Sequence, residues 1–284
     1  MFKDFENYFG CTEKLKIETT YRFNNPLINL SSEFILKNPN QTHKQLKGLS
    51  KLINTSFEIY YSISENQDDT FEVLQIFNKL LRNIENIQKK EILILGRYSF
   101  DIDRIKNEKG FLRIDKQEET ISYSINKKDG TTKSIKAQFM TIHKAKGIEA
   151  DIVIVLNCNS GKYGFPSEIS DDKVLNLLLS EADQYDNGEE RRLFYVAMTR
   201  AKEYIYFVAN SFCKSKFISE LEIESRKLPS KKCPVCKTGD VVLKKSGTSS
   251  NGSAYKFYGC SNYLFGCEYF KKDWETPEVK INSI

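Results

Sequence analysis

Three apolar runs stand out along the chain: EILILGR at 91–97, DIVIVL at 151–156 and EYIYFVA at 203–209. None alternates apolar with polar residues, which fits strands buried on both faces of a parallel sheet. Elsewhere the period is helical. Leu27, Leu30, Phe34 and Ile35 follow Asn25-Pro26, a cap and a proline at the first helical position, and predict a helix to about Lys37. Phe71, Leu74, Phe77, Leu81 and Ile84 predict a second, from Asp69 or Thr70 to about Lys90. EERRLFYVAMTRAK at 189–202 predicts a third, with Leu193, Val196 and Ala197 inward, Glu189 and Glu190 at the positive end of its dipole and Lys202 near the other. Shorter signals predict strands at 15–20 and 57–62, a polar helix near 100–107, two or three strands over 111–138 around Asp129-Gly130, a helix near 172–179 and an acidic surface loop at 181–186. Strands alternating with helices give an α/β class built on a parallel sheet.

Polar chemistry gathers at the ends of these runs. Thr141, His143, Lys144, Lys146, Gly147 and Glu149 crowd the approach to DIVIVL, the place where open α/β sheets bind ligands. Arg192 and Arg200 are eight apart, roughly one helical face, and arginine is a permanently charged planar fork suited to phosphate oxygens. Two surface arginines on an amphipathic helix is the plain alternative. Tyr21 and Arg22 occupy a strand-to-helix corner, and Arg97 ends a strand. Arg97 serves equally well as a nucleic-acid or nucleotide contact or as half of a structural ion pair.

TIHKAKGIEADIVIVL and EERRLFYVAMTRAK resemble motifs V and VI of superfamily 1 DNA helicases of the UvrD/Rep type, and TTYRFNNPLINLSSEFILKNPNQ resembles motif IV. FENYFG near the start, and only 44 positions between Arg97 and Thr141, favour the helicase IV branch, which lacks the inserted helical domain of larger relatives. The resemblance covers roughly residues 1–210. It implies a RecA-like parallel sheet flanked by helices, the second motor domain of an ATP-dependent helicase. By that likeness Tyr21 stacks on adenine, Arg22 and Arg200 reach the terminal phosphate, Gly147 and Glu149 lie by the nucleotide with Glu149 near the ribose, and Thr141 and His143 hold the DNA backbone.

Charge divides the chain. The net charge is +5, yet Arg226 to Lys280 carries 11 Lys/Arg against 5 Asp/Glu, so the remainder is close to neutral and the tail favours a polyanion. Four of the seven cysteines lie there: Cys233 and Cys236 as CPVC, Cys260 after 23 residues and Cys267 after six more. Two thiolate pairs at such spacings can close a tetrahedral Zn²⁺ site, and CPVC…FYGCSNYLFGCEYF resembles the C4 zinc ribbons of type IA topoisomerases. Lys256, Tyr258 and Tyr263 are candidates for stacking and phosphate contact with single-stranded DNA, although at least half of the ribbon's rings are expected in its own small core. The expected layout is a helicase-type domain at 1–225, a linker at 226–232 and a ribbon at 233–284. Cys11, Cys158 and Cys213 are read as inert thiols. With no secretory leader and no 18-residue apolar run, the expected setting is cytoplasmic, away from membranes.

The sequence has no G-x-x-x-x-G-K-[ST] phosphate cradle and no apolar strand ending in Asp-Glu. ATP and Mg²⁺ are therefore expected only together with an N-terminal RecA-like partner domain, and the chain alone is expected to be inactive. It reads as the C-terminal portion of a longer enzyme or the product of a truncated gene. The alternative is a non-catalytic nucleic-acid-binding protein derived from a helicase.

Overall fold

The computed structural model describes residues 5–11, 13, 19–20, 25–41, 47–48, 56–63, 67–107, 112–126, 130, 132–169, 185–227, 234–236, 241–248, 254–260 and 268–275. In chain order its elements are α1 (Phe5–Phe9), β1 (Thr19–Thr20), α2 (Asn25–Leu36), β2 (Lys47–Gly48), β3 (Ser56–Ser62), α3 (Thr70–Asn83), β4 (Ile92–Gly96), β5 (Leu112–Asp115), β6 (Thr120–Asn126), β7 (Thr132–Thr141), β8 (Ala150–Val155), α4 (Gly188–Met198), β9 (Ala201–Asn210), α5 (Lys216–Lys227), β10 (Val241–Thr248), β11 (Ala254–Cys260) and β12 (Phe270–Glu275). The chain divides into two compact units, Met1–Glu224 and Ser225–Ile284.

The first unit is a mixed α/β layer structure. Its central sheet has the order β3-β9-β8-β4-β7-β6-β5. The first five strands run parallel, and β6 and β5 close the edge as an antiparallel meander. The continuous apolar runs have the predicted cause. On β4, Leu93 and Leu95 enter one core cluster while Ile92 and Ile94 enter the other. Both faces are thus covered: α2, α4 and α5 on one, α3 on the other. Each such side chain removed from water contributes about 1.5–3 kcal/mol before entropy is counted.

Three boundaries differ from the sequence reading. α3 turns Val73, Ile76, Phe77, Leu80 and Leu81 to the sheet and leaves Phe71 66% exposed. Apolar residues lie on both flanks of this helix, and contact with the sheet selected between two overlapping stripes. It stops at Asn83, where Ile84 becomes extended, and only a 3₁₀ turn at Ile87–Lys89 continues toward Lys90. The polar helix near 100–107 is likewise a 3₁₀ segment, Ser99–Arg104. α4 ends at Met198, not Lys202. The Thr199 hydroxyl donates to the Val196 carbonyl at 3.1 Å, a local bond that competes with helix continuation, and β9 begins at Ala201 opposite Ala150. Most of the strand expected at 15–20 and the helix near 172–179 lie outside the described residues.

In the second unit, β10, β11 and β12 form an antiparallel three-stranded sheet. α5 reaches Lys227, two residues into the segment expected as linker. Among the described residues, no helix is long and apolar enough to cross a membrane.

Candidate functional site

The described candidate residues of the first unit fall on two opposite edges of the parallel sheet, joined by one short crossover. β7 ends at Thr141, level with Gly96 at the carboxyl end of β4. β8 begins at Ala150, at the amino end. Residues 142–149 therefore cross the sheet within eight positions, as consecutive turns and without a helix. Ile142 and Ala145 are fully buried and pin this crossover to the face shared with α2 and α4. Thr141 is level with Gly96 and Ala150 lies two residues beyond the level of Ile92, so the two ends are separated by about 20 Å along the strands at ~3.3 Å per residue.

At the amino edge the crossover meets the turn after α4. Gly147 adopts φ +86°, a left-handed conformation in which a side chain is strained even though a Cβ would meet open space. Glu149, half-buried, follows it into β8. Arg200 is only 8% exposed. Its Nε donates to the Val196 carbonyl at 2.9 Å, one terminal nitrogen donates to the Ile148 carbonyl at 3.1 Å, and the other donates to Thr199 Oγ1 at 3.2 Å. The Ala150 N–H in turn donates to the Arg200 carbonyl at 3.1 Å. Gly147, Glu149 and Arg200 are thus assembled in one place, with the guanidinium orientation fixed by backbone oxygens. Arg192, by contrast, is exposed on α4. The expectation that Arg192 and Arg200 share a helical face fails because the helix ends before Arg200.

At the carboxyl edge, Thr141 Oγ1 accepts the Lys144 N–H at 3.4 Å, and its carbonyl accepts the Ala145 N–H at 3.0 Å. His143 is exposed at the start of the crossover. Partial burial, then the charges of Arg97 and Lys146, lower its pKa and outweigh Glu190 and Glu189. The two readings of Arg97 are resolved toward an ion pair. Its Nε lies 3.0 and 3.1 Å from the two oxygens of Glu190, and a terminal nitrogen lies 2.7 Å from one of them. The Ser167 N–H also donates to Glu190, at 3.0 Å.

Several polar residues escaped the sequence reading. Asp101, 1% exposed, accepts the Tyr98 N–H at 2.8 Å and the Asn157 amide at 3.0 Å. Burial raises its carboxyl pKa despite these donors. Arg104 forms a bidentate pair with buried Asp69 at 2.6 and 3.1 Å. Arg191, 2% exposed, pairs with Glu220 at 2.6 and 2.8 Å, donates to the Phe34 carbonyl at 3.0 Å and lies 4.6 Å from the Phe34 ring centroid. The one signal in the sequence was an Asn directly after a buried strand: Asn157 takes φ +53°, a conformation asparagine tolerates well.

Tyr21, Arg22, Cys233, Tyr263 and Cys267 lie outside the described residues, as do the side chains of Lys256 and Cys260, whose backbones belong to β11. Tyr258 is half-buried in β11, opposite Leu243 and Lys271. Cys236 is half-buried in a turn. Among the described residues, no three of His, Cys, Asp and Glu form a metal-binding group.

Residues 111–211 match the family described as UvrD-like helicase C-terminal domain. The chain is 30% identical over 220 residues to DNA helicase IV of Escherichia coli, covering 77% of this chain and 28% of that protein. It is 28% identical over 233 residues to a probable DNA helicase II homolog of Mycoplasma capricolum, covering 68% and 30%. It thus spans less than a third of the length of these curated relatives. A solved structure, the C-terminal domain of a possible DNA helicase from Lactobacillus, covers 71% of this chain and is itself covered to 94%, with 16% identity and a TM-score of 0.36.

Proposed function

We propose, on the footing that residues 111–211 carry a UvrD-like helicase C-terminal domain, that this chain acts as the second, RecA-like motor domain of an ATP-dependent DNA helicase. In this reading it completes an ATP site whose phosphate cradle and Mg²⁺ site belong to an N-terminal RecA-like domain, and it grips single-stranded DNA. The observation that carries the reading is the separation of two polar groups by one short, anchored crossover: Gly147, Glu149 and Arg200 at one edge of the sheet, Thr141 and His143 at the other. In this reading a change in nucleotide at one edge acts through the crossover on DNA contacts about 20 Å away.

Arg200 has the part of a guanidinium directed at the transferred phosphoryl, where negative charge spreads over the equatorial oxygens as the attacking water approaches. Its carbonyl anchors hold it in place beforehand, so little reorganisation remains at the moment of reaction. Arg22 is assigned to the same anion, Tyr21 to the adenine and Glu149 to the ribose. Thr141 and His143 face the sugar-phosphate backbone, where contacts position a strand without reading its sequence.

In the second unit, Cys233, Cys236, Cys260 and Cys267 are the donors for Zn²⁺. Four thiols suit that ion, and the antiparallel sheet that places Cys260 at the end of β11 suits a ribbon. Bound zinc would supply folding energy to this unit. Lys256, Tyr258 and Tyr263 are its candidate DNA contacts.

The test is reconstitution with a first motor domain. The chain alone should show no ATP turnover, and the pair should turn over ATP in the presence of single-stranded DNA. Arg200→Ala should lower turnover by about 10³-fold or more while DNA affinity stays within a few-fold. Turnover that survives the substitution removes Arg200 from the mechanism. The division into two units keeps a second reading open, a non-catalytic nucleic-acid-binding protein whose ribbon carries the affinity. Complete loss of DNA binding on deleting residues 225–284, with no turnover in any reconstitution, would favour it.

A further inference from the structure

A recess of about 380 Å³ opens where β3 ends and α3 begins. Ser62 and Ile63 line it from the end of β3, and Asp68, Phe71, Glu72 and Leu74 line it from the start of α3. Backbone bonds fix both walls. The Ser62 carbonyl accepts the Ser211 N–H at 2.8 Å, and the Asp69 N–H donates to the Arg104 carbonyl at 2.8 Å. The Thr70 N–H donates to the Asp68 carboxylate at 2.9 Å.

Three acids meet at this helix start, and two of them have cations. Asp68 pairs with Lys106 at 2.8 Å, and Asp69 pairs with Arg104 at 2.6 and 3.1 Å. Glu72 is only 5% exposed, yet among the described residues its buried Oε2 has no hydrogen-bond partner. The carboxyl receives its own N–H at the third position of α3, where the helix dipole favours an acid. One oxygen is thus compensated and the other is not. Burial first, then the charges of Asp69 and Asp68, raise the Glu72 pKa against that bond. A buried acceptor without a donor costs free energy, and folded chains satisfy nearly all of theirs. An unmet oxygen and an unbalanced acid together suit a donor that carries positive charge.

The collar of the recess is apolar. Ile63 is 76% exposed and Phe71 66%. Phe212, 77% exposed, follows Ser211, the residue bonded to Ser62. A single exposed apolar side chain is ordinary, whereas several around one recess mark a surface that another protein covers. The excess of acid disfavours a nucleic-acid strand, whose phosphates it repels. We propose that this recess docks a lysine or arginine side chain of a partner protein, with the cationic head paired to Glu72 and a neighbouring apolar residue of the partner seated on Ile63 and Phe71. The long stem of either side chain packs on apolar surface while its head reaches a carboxylate, and pairing supplies the donor that Glu72 Oε2 lacks.

The test selects a displayed library of random dodecapeptides on the full chain and, in parallel, on the double variant Phe71→Ala and Glu72→Gln. Peptides enriched on the unaltered chain alone should carry Arg or Lys next to an apolar residue. One such peptide is then remade with its cation neutralised, citrulline for arginine or acetyl-lysine for lysine. This change should weaken binding to the unaltered chain by about 10- to 100-fold and leave binding to Glu72→Gln unaffected. Phe71→Ala, whose ring is mostly in water and whose loss leaves the fold intact, should weaken the charged and neutral peptides alike. Identical sequences enriched on both proteins, enriched peptides without a cation, or a neutralised peptide that binds the unaltered chain as well as its parent would overturn the proposal. Neither nucleotide nor nucleic acid is present, so the outcome is independent of the motor reading.

Discussion

Burying the guanidinium of Arg191 removes a permanent charge from water, and the structure compensates with Glu220, the Phe34 carbonyl and the rings of Phe34 and Phe217. Removing Arg191 leaves Glu220 to Lys37 alone and takes the guanidinium from between the Phe34 and Phe217 rings, so Arg191→Ala should destabilise the first unit by about 1–3 kcal/mol in denaturant titration. A loss under 1 kcal/mol would show that the pair does not hold α4 to α5. Glu220 adds a pH signature. Burial alone would raise its pKa, but Arg191 and then Lys37 outweigh burial and hold the carboxyl below its ordinary value. A carboxylate lowered in the folded state contributes stability that is complete above its unfolded pKa of about 4.3. That contribution disappears as pH falls through the lower, folded value. Glu220→Gln should flatten the acid limb of stability against pH, and an unchanged limb would remove Glu220 as its source.

At the scale of elements, α4 is held by Phe194 as well as by the buried Arg191. Its ring lies 5.1 Å from Phe34, 4.9 Å from Phe165, 5.4 Å from Phe207 and 5.3 Å from Phe217. Phe194→Ala should cost about 3–5 kcal/mol, because the cavity is walled by rings from several elements and cannot collapse. Phe71→Ala on α3 should change stability by no more than about 0.5 kcal/mol, since that ring is mostly in water. The pair of measurements discriminates between the two apolar stripes of α3: a large loss at Phe71 would restore the stripe read from spacing alone. The sequence reading took only the stripe that includes Phe71. Only the sheet, built from strands distant along the chain, determined which one faces inward.

For the whole molecule, two units predict two independent transitions. Calorimetry of the full chain should resolve them, and residues 1–224 should retain one with its midpoint unchanged. If the four cysteines hold zinc, a chelator should lower only the transition that residues 1–224 lack. A single transition shifted as a whole by chelator would mean that the units unfold together. The distribution of charge fits this division, since the basic excess lies between Arg226 and Lys280 while the first unit is close to neutral.

Local pattern alone located the bodies of the strands at 92–96, 151–155 and 203–209 and the α/β class, because buried strands and amphipathic helices are specified by residues a few positions apart. Tertiary structure decided which arginines are buried and with what. Arg191 meets Glu220 across 29 positions and Phe34 across 157, and Arg104 meets Asp69 across 35. No periodicity records such distances. A charged side chain looks alike in sequence whether water or a carboxylate faces it, and the difference is fixed only when the sheet brings those elements together.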